Sequence, residues 1–280
     1  MNCPKLVFII PYRDREKEKT SFINHMKNIL KNNVSDKDYN ILFVEQNDKR
    51  SFNRGAMKNF GFLYYKQLYP DNYKNIVFVF NDIDTYPHNY IDYFTTNGTI
   101  KHIFGFTFTL GGIFSITGHD FEKLKGFPNF WGWGYEDNLI CDRTYLFDDI
   151  EISRSPDFIN LKKDTSFNFV NKFFHDNSNK YRIVCDRCVS IYRSEGKYIN
   201  NDTNKKYIGG GDDFTYLKNY SWNMDTNNNI LKINDFECNV SYNECVLLKK
   251  PYKKFIDVPN TRAPVLRKNW NNVFNFYRHT

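Results

Sequence analysis

Three short apolar runs, Leu6 to Ile10, Ile41 to Val44 and Ile76 to Phe80, alternate with two segments whose apolar residues recur at helical spacing. A continuous apolar run of this length suits a strand buried on both faces. The first intervening segment carries Phe22, Ile23, Met26, Ile29 and Leu30; the second, Phe52 to Leu68, turns Met57, Phe60 and Tyr64 inward. This alternation predicts an α/β fold with an open, mostly parallel central sheet and helices on its faces.

Sheets of that kind bind ligands at the carboxyl ends of their strands. Pro11 stops the first run, and Tyr12, Arg13, Asp14 and Arg15 form the loop after it. Arg54 follows the second run, and Asp82 and Asp84 follow the third. Two arginines after a strand are by themselves ordinary surface. Their convergence with an aspartate pair on one rim points to a nucleotide site. Alternation puts Asp82 and Asp84 on one side of an extended segment, where hard carboxylate oxygens suit Mn2+ or Mg2+.

The stretch from Gly112 to Arg143 is the most distinctive in the chain. It contains Trp131-Gly132-Trp133-Gly134-Tyr135-Glu136-Asp137, followed by Leu139, Ile140, Leu146 and Phe147 on a predicted helix from Glu136 to Phe147. The glycines let the backbone pass close to a ligand. A tryptophan face is a flat apolar platform for a sugar ring, and a carboxylate beside it can take a proton from a sugar hydroxyl. The helix dipole favours the ionised forms of Glu136 and Asp137 in the first turn. The plainer alternative is two core tryptophans and an acidic helix cap.

The tryptophan run resembles the WGWGxED signature of the β-1,4-galactosyltransferases, glycosyltransferase family 7, with related N-acetylhexosaminyl and chondroitin-type enzymes. Three stretches agree in order: Phe8 to Arg15, Phe52-Asn53-Arg54-Gly55-Ala56, and Asn81-Asp82-Ile83-Asp84. The resemblance covers roughly Lys5 to His175 and implies a GT-A type fold and an inverting, metal-dependent transfer from a UDP-sugar to a glycan hydroxyl. It implies that Pro11, Tyr12, Arg13, Arg15, Phe52 and Arg54 hold the uracil, ribose and diphosphate, with Asp82 at ribose or metal-bound water. Asp84 and His175 would ligate the cation, Asp137 would be the base, Glu136 would orient acceptor or base, and Trp133, Gly134 and Asn138 would face the acceptor.

The chain departs from the family in three places. Thr109, near Gly112 at the donor pocket, stands where galactose-specific relatives have tyrosine, which leaves room for an N-acetyl group; UDP-GalNAc or UDP-GlcNAc is expected to rival UDP-Gal. Phe173 and Lys172 stand where relatives carry a second metal ligand. Asn138 replaces an acceptor-binding aspartate. The competing function is a nucleotide-sugar or glycan-binding protein that keeps the fold without turnover.

At 280 residues, with 18% aromatics, the chain suits one large folded domain with an appendage. We expect a catalytic region over residues 1–250 and a basic, aromatic tail over 251–280. The net charge of +7 comes without a dense Lys/Arg block, so it reads as a general attraction to anions such as a nucleotide diphosphate. No nucleic-acid motif accompanies it. Heavy use of Asn, Lys, Ile, Tyr and Phe is typical of AT-rich coding, as in some large viruses, protists or bacteria. Animal relatives carry a membrane anchor, whereas here the first strand begins almost at Met1. A soluble cytoplasmic chain, or a trimmed one, is the expectation. Cys185 and Cys188, with Cys238 and Cys245, allow a four-thiolate zinc site or free thiols, and less readily disulfides. Gly209-Gly210-Gly211 reads as a loop, and Ile230 to Ile233 and Val246 to Leu248 as late strands.

Overall fold

The computed structural model describes residues 2–154, 159–160, 167–169, 181–194, 199–201, 204–206 and 213–251. The first half runs β1 (Leu6–Tyr12), α1 (Glu16–Leu30), β2 (Tyr39–Gln46), α2 (Arg54–Leu68), β3 (Val77–Asn81), β4 (Thr85–Pro87), β5 (Thr99–Gly105), β6 (Ile113–Thr117), α3 (Gly118–Lys123) and α4 (Glu136–Thr144). There follow β7 (Glu151–Ser153), β8 (Ile159–Asn160), β9 (Phe167–Phe169), β10 (Tyr181–Cys185), α5 (Asp186–Ser194), β11 (Ile199–Asn201), β12 (Asn204–Lys206), β13 (Lys218–Asp225), β14 (Ile230–Glu237) and β15 (Leu247–Pro251).

The central sheet has the order β13-β14-β2-β1-β3-β6-β5-β7, with β8 also on β5. β14, β2, β1 and β3 are parallel neighbours, as are β5 with β7 and β8, while the β3–β6, β5–β6 and β13–β14 pairs are antiparallel. The sheet is thus mixed and mostly parallel, as the alternation predicts.

β1 shows why these residues make a central strand. Successive side chains point to opposite faces. Val7 and Ile9 enter the core under α2, with Met57, Phe60 and Phe62, while Leu6, Phe8 and Ile10 enter the core under α1, with Phe22, Met26 and Leu30. All of them are buried, so an apolar run without alternation is what the position requires. A Cβ on Gly61 would lie 2.6 Å from Ile9 Cγ2, so the glycine lets α2 lie close on β1.

Several sequence expectations shift in detail. Pro11 does not end β1: it pairs with Val44 of β2, while β3 pairs only with Leu6 to Ile9. Its missing N–H faces the side that β3 has already left, so it breaks no ladder. Tyr65, not Tyr64, is the buried tyrosine of α2, and Tyr64 is only partly covered. α4 stops at Thr144, three residues short of the expected end. Gly209 to Gly211, His175 and everything from residue 252 on lie outside the described residues.

The cysteines depart from the four-thiolate expectation. Cys185 and Cys245 form a disulfide, tying the end of β10 to the turn before β15. Cys188 has its sulfur within 4.8 Å of both. Cys238 stays a thiol outside that group, its sulfur bonded to the carbonyls of Val240 and Asn129.

Candidate active site

Asn53 caps α2 and sets the direction of Arg54. Its side chain accepts the Ala56 N–H at 3.0 Å and donates to the Asn129 carbonyl at 2.9 Å. One residue earlier, the Phe52 carbonyl accepts the Gly132 N–H at 3.2 Å. The start of α2 is therefore stitched to the tryptophan loop, which brings Arg54 beside α4. Trp131 anchors that loop from below. It is 1% exposed, its indole N–H donates to the Val240 carbonyl at 2.7 Å, its ring stacks on Phe236, and its backbone N–H points at Cys188 Sγ. Trp133, two residues on, is 42% exposed at the surface. Trp131 is thus a core residue, and Trp133 lies at the surface.

Tyr135 precedes α4 in the left-handed region, at φ 71°, with Gly132 and Gly134 also at positive φ. This turn starts α4 with Glu136 and Asp137 facing Arg54. The Leu110 N–H donates to the Asp137 carbonyl at 2.9 Å. A Cβ on Gly111 would fall 2.6 Å from Asp137 Oδ2, so that position has no room for a side chain. On the far side of the loop, the Gly112 carbonyl accepts the Asp82 N–H at 3.2 Å, which draws the end of β3 into the same cluster.

Arg54 is the hub. Its Nε donates to Glu136 Oε1 at 2.6 Å, its Nη1 to both oxygens of Asp82 at 3.1 and 3.2 Å, and its Nη2 to Asp137 Oδ2. One turn along α2, Lys58 Nζ donates to Asp137 Oδ1 at 2.9 Å. Burial opposes the charge on Arg54, but Asp137, Asp82 and Glu136 hold its guanidinium well above the ordinary range. Burial alone would push Asp137 up; Arg54 and Lys58 outweigh it, and the carboxyl sits below the ordinary range. For Asp82 burial prevails, and its carboxyl is raised despite the same two cations. The two cations thus favour the ionised form of Asp137 more strongly than that of Asp82.

Beside the hub, Arg15 Nη2 meets Asp84 Oδ2 at 3.2 Å, and Thr85 Oγ1 donates to Asp84 Oδ1. Arg13 stays with the β2 loop. It donates to the carbonyls of Gln46 and Arg50 and lies 5.2 Å over the Phe52 ring. Tyr12 is buried, its hydroxyl bonded to Glu16, and Pro11 is buried within β1. Thr109 is buried with its hydroxyl turned to the Phe106 carbonyl, and Asn138 is buried on α4. Arg54, Asp82, Glu136, Asp137 and Gly112 are thus assembled directly, with Arg15 and Asp84 next to them.

Lys58 and His102 were absent from the sequence reading. Lys58 lies four residues after Arg54, on the same helical face; a lysine among Ala56, Met57, Phe60 and Phe62 was the available signal. Gly111 makes room for Asp137. His102 Nε2 lies 3.0 Å from the Gly111 carbonyl, while Arg154 Nε donates to its Nδ1. The ring is neutral, with the proton on Nε2; burial and then Arg154 push its pKa down to about 3.

Comparison with solved structures places this architecture. The catalytic domain of Drosophila beta-1,4-galactosyltransferase 7, complexed with xylobiose, aligns with a TM-score of 0.57 at 20% identity over 86% of this chain and 97% of that one. A mutant of the fly enzyme with manganese, UDP-Gal and xylobiose aligns equally well at 21% identity. The fold is therefore the GT-A type of nucleotide-diphospho-sugar transferases. Residues 2–97 match the N-terminal region of glycosyl transferase group 7, and residues 94–169 match the N-terminal domain of galactosyltransferase. The chain belongs to the group 7 glycosyltransferase family. Curated relatives include xylosylprotein 4-beta-galactosyltransferase of Caenorhabditis elegans, 38% identical over 51% of this chain and 49% of that protein. Beta-1,4-galactosyltransferase 4 of Cricetulus griseus is 30% identical over 55% and 46%. The chain spans about half the length of the curated relatives it matches.

Proposed function

We propose that the chain transfers a hexose or N-acetylhexosamine from a UDP-sugar to a sugar hydroxyl with inversion at the anomeric carbon. The observation that carries this is the Asp137 carboxylate, held by Arg54 and Lys58 at the carboxyl rim of the sheet, four residues along the chain from the exposed Trp133. The acceptor sugar stacks on Trp133. Its hydroxyl loses a proton to Asp137 as it attacks the anomeric carbon from the face opposite UDP, while Glu136, through Arg54, fixes the direction of the base. One base suffices for a single displacement. Arg15, beside Asp84, would face the charge that develops on the diphosphate.

A divalent cation fits the donor set. Asp84 offers hard oxygens at the rim and already has a positive partner in Arg15. Among the described residues Asp84 belongs to no group of three or more ligand atoms. His175, which lies outside the described residues, would be the second protein ligand by the family resemblance, with diphosphate and water oxygens supplying the rest. Manganese is the cation of the fly structure. The chemistry it supplies when bound is neutralisation of charge on the leaving diphosphate.

The test is UDP release from a panel of UDP-sugars with simple sugar acceptors, in Mn2+ or in chelator. We expect release that chelator abolishes, and UDP-GalNAc or UDP-GlcNAc within reach of UDP-Gal because Thr109 leaves space. Strict use of galactose would refute the Thr109 argument. UDP binding without release from any donor would favour a non-catalytic binding protein.

The compartment turns on the cysteines. No described helix is long and apolar enough to cross a membrane. Rapid alkylation of protein in lysed cells, followed by peptide mapping, is expected to find Cys185 and Cys245 joined. That result marks an oxidising space, since cytosolic thiols are kept reduced; labelled thiols at both positions restore the cytoplasmic expectation.

A further inference from the structure

We propose that Lys58 is a positioning residue for the base: its buried ammonium, together with Arg54, keeps the Asp137 carboxylate ionised and aimed before any substrate arrives. The inference rests on the transferase reading, in which Asp137 takes the acceptor proton.

Lys58 is only 2% exposed, an unusual place for a lysine unless it is paired. Its stem and ammonium lie against the Phe127 ring, with Nζ 4.3 Å from the ring centroid, and Nζ donates to Asp137 Oδ1 at 2.9 Å. Arg54 takes the other oxygen of Asp137. The two cations thus grip the carboxylate from both sides, and each oxygen keeps a second lone pair for an acceptor hydroxyl.

The division of labour between them follows from their other partners. Arg54 is shared among Asp82, Glu136 and Asp137. Among the described residues Lys58 makes its ion pair with Asp137, while its charge also acts on Asp82. Arg54 therefore organises the whole cluster, whereas the direct contact of Lys58 is with the base.

The groups facing Asp137 are Arg54 and Lys58 from α2, Asp82 from the end of β3, His102 from β5 and Glu136 from its own helix. His102 is neutral across the working range, and the two carboxylates repel. Arg54 first and Lys58 second hold Asp137 down against its burial. An opposite charge in contact lowers a carboxyl pKa by about 1–3 units. Without Lys58, Asp137 would bind its proton at higher pH, and fewer molecules would carry the base in its active form in mildly acidic solution.

The test uses the full chain with Lys58→Met, which keeps the apolar stem, and Lys58→Gln, which keeps a hydrogen-bond donor without charge. NMR of 13C-labelled aspartate carboxyls reads the Asp137 midpoint directly, independent of turnover. The pH profile of kcat/KM with a working donor reads its catalytic consequence. We expect both variants to raise the Asp137 midpoint by about one unit or more and to move the acid limb upward by the same amount. An unmoved midpoint in either folded variant would overturn the proposal, as would a moved midpoint with an unmoved acid limb. If the unaltered chain releases no UDP, the transferase reading fails, and the proposal for the base fails with it whatever the midpoint does.

Discussion

Asp137→Asn is expected to lower UDP release to acceptor by about 10²–10⁴-fold while leaving UDP binding unchanged, the range that loss of a positioned base produces. The amide keeps the shape of the carboxylate and can still occupy the space that Gly111 leaves beside it. What it loses is the ability to accept the acceptor proton. Arg54 retains Asp82 and Glu136, so the hub stays compensated. In the unaltered protein Arg54 and Lys58 hold the carboxyl below the ordinary range, so activity should persist into acid below the pH at which a free aspartate titrates and fall only as Asp137 is protonated. Equilibrium binding of UDP alongside single-turnover kinetics separates the two effects. Near-normal turnover would remove Asp137 from the role of base.

Arg54→Met is expected to damage the fold before it damages catalysis, at a cost of about 3–5 kcal/mol. Asp82, Glu136 and Asp137 converge on one guanidinium, and removing it leaves three carboxylates crowded in a buried site with Lys58 as the remaining cation in contact. The sign with pH is distinctive. A carboxyl whose folded pKa rises above its unfolded value costs stability above that folded value and ceases to cost it below the unfolded one. The deficit relative to the unaltered protein should therefore be largest near neutral pH and close only as the pH falls below the ordinary carboxylate range, where Asp137 of the unaltered protein also takes up its proton. Denaturant melts at several pH values would show it. A deficit that stays constant with pH would mean that Arg54 acts through packing and not through charge.

The sequence was most informative where burial left few choices. β1, β2 and β3 announce themselves as apolar runs because each is buried on both faces, and the polar residues after them can only gather at the rim. The tryptophan loop was legible for a related reason, since glycines beside tryptophans and an acidic pair leave little else for that segment to do. The hub itself was not legible. Arg54 looked like a phosphate binder because sequence places a side chain at a rim without saying how far it reaches, and three carboxylates from two other elements claim it first. Lys58 was hidden by its chemistry, because lysines are almost always exposed. β13 was missed because it is an edge strand with mostly exposed residues, which carries little hydrophobic pattern. The Cys185–Cys245 bond could not be chosen from six cysteines, since spacing does not fix connectivity.

The position of β14 in the sheet has a consequence for synthesis. β14, residues 230–237, lies beside β2, residues 39–46, so the sheet cannot be completed in the order in which it is translated. At roughly 5–20 residues per second, a ribosome needs about 10–40 s to bridge that gap. Throughout that interval the nascent chain exposes the open edge of β2, a ready template for pairing with another chain. The last residues of the sheet to be made are also the ones that support Trp131, through Phe236 and Val240. A chain released early would therefore carry nearly all of its chemical groups and lack the buttress that holds them in register, so its yield in a cell depends on what shields that edge during translation.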